Sequence, residues 1–360
     1  MAQSNSYRTG AYQMNGYTVN KIKDTIWKTL VLVFGIAFIA FIVYYRLDRT
    51  SSKFNVYQDN GTVIFIDKYV SKKDDLRFRT SWKTVINDFL EKTKLSAAVN
   101  EKNKSYYPEV IFFVDNFYST IALDDPHIEK YLKDKPGGDF QLLQKARMSI
   151  FFDSLISHSY TSADGRYIFF SNAENLESDL VYAYTFGIIS YNMPESARKQ
   201  LRIDSNWDFY SYTAWIMLEE MAAISTQQIQ KAFSTGKTLE EALETITNLP
   251  SDYYTNENSS VIKKEEEYIA LSFREPDKPA RIYQTCLDMA KHLIAVKGKN
   301  DFMVYLADLF TGNYTTIGEL IQQDLKKYID PVVEYYSTSS RKAQIVEDQT
   351  RIVRSAPASQ

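Results

Sequence analysis

Apolar positions follow three different rhythms along this chain. The first is no rhythm at all. Thr29–Tyr45 (TLVLVFGIAFIAFIVYY) is an unbroken run without a charge, set between Lys28 and Arg46. At about 1.5 Å of rise per residue, such a run is just long enough to cross a hydrocarbon core as a helix. Trp27 stands at one end, and Tyr44 and Tyr45 at the other, where amphipathic rings favour the headgroup level. Lys28 can snorkel to the same level. The pattern predicts a membrane anchor over residues 26–47, held by Trp27, Lys28, Tyr44, Tyr45 and Arg46, after a flexible cytoplasmic tail over residues 1–25. The long polar segment before the run, and the lack of a small-x-small pattern after it, favour an uncleaved signal-anchor over a cleaved leader. Lys and Arg are slightly richer on the tail side, which predicts a single-pass protein of the cell membrane with its large domain extracytoplasmic.

The second rhythm is strand-like. Phe54–Tyr57 and Val63–Ile66 alternate around Asp59-Asn60-Gly61, a hairpin signal. Glu109–Val114 and Tyr167–Phe170 are short apolar runs bounded by turn residues, as in buried strands. The third rhythm is helical. Trp82, Val85, Ile86, Phe89 and Leu90 predict a helix over residues 81–94, and another is expected over about 140–157. From residue 179 onward helices dominate, over 179–191, 210–233, 278–296 and 301–309. Capping boxes at Thr238/Glu241 and Thr316/Glu319 open a short helix and a final one running to about 336. The fold class expected is therefore α+β, with one N-terminal transmembrane helix. A small mixed sheet with helices over 54–172 and a helical part over 173–336 follow, then a flexible tail over 337–360.

Composition narrows the function classes. Net charge is −3 over 360 residues and no basic stripe is present, so nucleic-acid binding has no electrostatic support. The 27 tyrosines fit either an aromatic partner-binding surface or the codon usage of an AT-rich genome. The single Cys286 cannot close an internal disulfide, and its place among Ile282, Met289 and Leu293 reads as a buried, inert thiol. The chain holds no G-x-S-x-G elbow, P-loop or G-x-G-x-x-G.

The order of elements resembles the gluzincin metallopeptidases, the thermolysin-like, peptidase MA-like fold. Asp164–Ser171 is similar to the strand before their metal helix, and Asp179–Tyr191 takes the place of that helix. Trp215-Ile-Met-Leu-Glu219-Glu220-Met-Ala222 is similar to the W-x-x-E-G-x-A helix that brings the third zinc ligand. The helices around Tyr283–Ile294, Phe302–Leu309 and Thr316–Glu319 match the helical closure of such domains. The resemblance covers residues 54–335 and implies a zincin-like domain.

The chemistry departs from the family at one decisive place. Zinc hydrolysis needs three protein ligands, an open coordination position and a general base. H-E-x-x-H supplies two imidazoles one turn apart with the base between them. Here the helix reads VYAYTFGIISYN, with neither His nor Glu, and the best-aligned residues run from Thr185 to Ile189. Thr185, Ile189 and Glu219 are then the vestige of a site, with Glu219 an orphaned third ligand. The histidines, His127, His158 and His292, are scattered. The expectation is a catalytically inactive, zincin-like binding or scaffold component of a cell-envelope assembly, with no cofactor and no metal. Its expected partners are the lipid bilayer, through residues 29–45, and other proteins. Two alternatives stay open: an active membrane-anchored hydrolase with a non-standard site, and a membrane-anchored α+β interaction domain unrelated to peptidases.

Overall fold

The structure, a computed structural model, describes residues 26–29, 33–34, 54–96, 106–114, 159–161, 165–171, 175–193, 209–254, 278–313, 318 and 320–338. Two compact units are distinguished, Met1–Ser52 and Lys53–Gln360.

In the first unit, residues 26–29 and 33–34 are helical and exposed. The expected transmembrane helix is corrected here: no helix among the described residues is long and apolar enough to cross a membrane. Of the anchor residues, Trp27 and Lys28 are solvent-facing, while Tyr44, Tyr45 and Arg46 lie outside the described residues.

The second unit is built on a mixed sheet of β1 (Phe54–Asp59), β2 (Thr62–Asp67), β3 (Val110–Val114), β4 (Ser159–Thr161) and β5 (Tyr167–Ser171). Their spatial order is β1-β2-β3-β5-β4. The Asn60-Gly61 turn makes β1 and β2 an antiparallel hairpin, with both turn residues at positive φ (46° and 95°), as a two-residue turn of this hand requires. β3 runs parallel to β2 and to β5, and β4 closes the far edge antiparallel to β5. The three-residue β4 was not expected from the sequence; it is too short to show a period.

Successive strand residues point to opposite faces. Ile64, Ile66, Ile111, Phe113 and Ile168 belong to the main core. On the other face Phe65 stacks on Phe112 with centroids 5.0 Å apart, and Phe54 meets both edge-on.

The main core is covered by α1 (Lys72–Lys92). This helix starts nine residues before the sequence pattern predicts. Ser71 caps it, its side chain accepting from the Asp74 N–H, and Phe78 extends the buried stripe by one turn. Trp82 Nε1 donates to Asp59 at 3.0 Å, and the Arg79 guanidinium sits 4.2 Å over the Tyr57 ring. These contacts fasten the helix to the hairpin. The helical part follows as α2 (Leu176–Asn192), α3 (Phe209–Ser234), α4 (Leu239–Asn248), α5 (Lys278–Lys297), α6 (Lys299–Thr311) and α7 (Lys326–Thr338). Gly312, at φ 67°, ends α6 as a left-handed cap, and one π-turn, Ile321–Leu325, precedes α7. The final helix runs to Thr338, two residues into the tail expected over 337–360; the helix expected over 140–157, the Thr316/Glu319 cap, the tail over 1–25 and residues 339–360 lie outside the described residues.

Candidate functional site

The facing surfaces of α2 and α3 hold the residues that the resemblance singles out. β5 delivers the chain to α2, and Asn175 opens that helix, its side chain accepting from the Glu177 N–H at 3.0 Å. α2 is apolar nearly all round and buried from Leu176 to Ser190, with Glu177 and Phe186 only partly covered. The backbone can come close at Gly187, where an added Cβ would strike the Tyr106 hydroxyl and lie 3.0 Å from Ile168 Cδ1.

Between the two helices runs a row of polar pairs. Gln227 Nε2 donates to Asp179 at 3.0 Å. The Thr185 hydroxyl donates to the Val181 carbonyl at 2.8 Å, and its oxygen lies 2.8 Å from that of Thr226. The Ser190 hydroxyl donates to Glu219 Oε1 at 3.2 Å. Tyr182 donates to Glu220 within the buried interior. Such pairs satisfy polar groups that would otherwise be costly in an apolar interface.

The positions of the vestige follow. Ile189 is fully buried as a plain apolar core residue. Glu219 is half-buried and faces the α2 end at Ser190, whereas Thr185 faces Thr226. Glu219 and Thr226 lie seven residues apart, roughly 10 Å along a helix. The structure therefore brings Glu219 to α2 but does not bring it to Thr185. Among the described residues, no group of three or more His, Cys, Asp or Glu side chains could hold a metal ion. His127 and His158 lie outside the described residues. His292 sits on α5 with its ring 5.6 Å from Tyr328, where burial and the Lys327 cation hold its pKa below the usual histidine value.

Sequence reasoning missed Glu220. The expectation for the Glu219-Glu220 pair is one half-buried and one solvated side chain. Instead Glu219 is half-buried and Glu220 almost wholly buried, at 1% exposure. The signal was present in the helical phase. Glu220 lies three residues after Met217 and four before Ile224, both of them core residues. Cys286 shares this interior, and burial, with smaller contributions from Glu220 and Asp288, pushes its thiol well above the ordinary value. Burial likewise pushes the Tyr184 phenol far up. Neither group has the lowered pKa of a nucleophile.

Comparison of the chain with protein-family models, with curated proteins and with solved structures returns no match.

Proposed function

We propose that the protein is a non-catalytic binding or scaffold component of a cell-envelope assembly, its body a zincin-like domain without a working metal site. The observation that carries the reading is the chemistry of the α2–α3 interface. At the two positions aligned with imidazole ligands stand a threonine, whose hydroxyl is occupied by Val181 and Thr226, and a buried isoleucine. A threonine hydroxyl and an isoleucine offer zinc none of the N, S or carboxylate donors it prefers. The interface is instead closed by side-chain pairs that hold the helices to each other, which is what a rigid binding module requires. The order β5, α2, α3 and the contact of Glu219 with α2 support the zincin-like part of the reading.

Metal analysis of the purified chain tests it. The expected content is well below one zinc per chain, with no loss of thermal stability in a chelator, because no folding free energy comes from metal. One tightly held zinc per chain, lost together with stability on chelation, would overturn the proposal. Affinity capture under native conditions should then recover a stoichiometric protein partner.

A further inference from the structure

α7 packs on α3 and α5, with Ile329 fully buried and Val332 and Val333 partly so. Its backbone ladder is weakened at two places. The π-turn Ile321–Leu325 precedes it, and Pro331 lies inside it. A proline has no N–H and cannot supply the helical bond to the Lys327 carbonyl, four residues earlier. Between these two defects stands a contact with α5. Lys327 Nζ lies 3.5 Å from His292 Nδ1 and 4.9 Å from the centroid of the Tyr328 ring, and the imidazole meets the same ring at 5.6 Å. An ammonium has only donors, so Nδ1 is the acceptor and the imidazole is neutral.

We infer that His292 and Lys327 form an acid-sensitive latch for α7, closed while the imidazole is neutral and opened when it takes up a proton. The inference is independent of the zincin-like reading. Protonation turns Nδ1 into a second donor facing the ammonium, so the contact loses its acceptor and gains a like-charge repulsion. The nearby carboxylates are already engaged. Asp324, from the π-turn, is paired with Lys297 at 3.0 Å. Asp288, one turn before His292 on α5, accepts from Gln284 Nε2 at 3.0 Å. Lys291 is turned to the Leu249 carbonyl at the end of α4, 2.6 Å away, and Lys297 adds positive charge. Burial, then the Lys327 cation, hold the imidazole below its usual pKa, with Asp324 opposing only in part. Docking is therefore strongest above the ordinary histidine range and weakens as pH falls through it. Because its helical ladder is already interrupted, the element freed is α7 rather than the body.

Hydrogen–deuterium exchange of the full-length chain, corrected for the intrinsic effect of pH, tests the latch. Between about pH 8 and about pH 5.5, on either side of the ordinary histidine value, protection over residues 320–338 should fall several-fold while that of α1 and α4 holds. His292→Gln stays neutral and should keep α7 protected at both pH values. Lys327→Met removes the opposing cation and should shrink the step. A step of the same size in His292→Gln would overturn the inference. So would an equal loss in α1, α4 and α7, which would mark unfolding of the whole body, or a wild-type chain whose α7 shows no step.

Discussion

At the residue scale, the side chains with the largest consequences are buried ones with a polar duty. Trp82 fills the space between α1 and the hairpin and also donates to Asp59. Trp82→Ala should cost about 3–5 kcal/mol in urea unfolding, and Trp82→Phe less, since it keeps most of the packing. Glu220 is the more sensitive member of the acidic pair. Tyr182→Phe removes the donor to a buried carboxylate and should cost about 1–3 kcal/mol. Glu219→Gln keeps a shape that can still accept from Ser190 and should change stability by only about 1 kcal/mol or less. A larger loss at Glu219 than at Tyr182 would contradict the assignment of burial to Glu220. Gly187→Ala places a methyl group against the Tyr106 hydroxyl and Ile168, and should destabilise by about 1–3 kcal/mol.

At the element scale, caps and helix ends set the boundaries. Thr238 accepts from the Glu241 N–H, and Glu241 reaches back to the Thr238 N–H at 2.8 Å. Both halves of that box were legible in the sequence because the spacing alone specifies the contacts. Thr238→Ala should cost about 1 kcal/mol. The early start of α1 was not legible. Its first turns carry Lys72, Lys73, Asp74 and Asp75, which show no apolar period, so the Ser71-x-x-Asp74 cap precedes a charged stretch rather than an apolar run. His292 on α5 gives a pH test. Its folded pKa is depressed, so near the unfolded histidine value the unfolded chain binds more protons. Stability should therefore fall as pH drops through the ordinary histidine range and recover above it. His292→Gln should flatten that part of the profile. An unchanged profile would mean that burial and Lys327 do not disfavour the imidazolium.

At the scale of the whole molecule, strand and helix order was largely readable, because buried runs such as Val110–Val114 and amphipathic repeats such as those of α1 carry strong local periods. The relations between elements were less readable. Alternation cannot reveal that β4 is a three-residue edge. The site was legible only as an absence of ligands. The sequence could not show that Thr226, rather than Glu219, is the partner of Thr185, because that depends on how α2 and α3 slide past each other. The uncharged Thr29–Tyr45 run reads as a transmembrane helix from sequence alone, yet no such helix is found among the described residues. Length and hydropathy establish only that a segment is able to cross a membrane. A reading at this scale makes one further claim. The body should unfold in a single transition by calorimetry and by circular dichroism, since the main core runs from β2 through α7 without a break.

The sheet order also has a consequence in time. The β1–β2 hairpin is closed by two residues and can form within about 1–10 μs. β3 can then join β2 once α1 has folded between them. Its other edge must wait for Tyr167–Ser171, which leaves the ribosome much later in synthesis. During that interval Val-Ile-Phe-Phe-Val, with no charge and high strand propensity, is an open edge able to pair with another chain. Refolding yield should therefore fall steeply with protein concentration. Phe112→Lys should slow aggregation of the nascent or refolding chain even as it breaks up the Phe54, Phe65 and Phe112 cluster on the far face of the finished sheet, so that one strand is both the keystone of the native sheet and the principal hazard on the way to it.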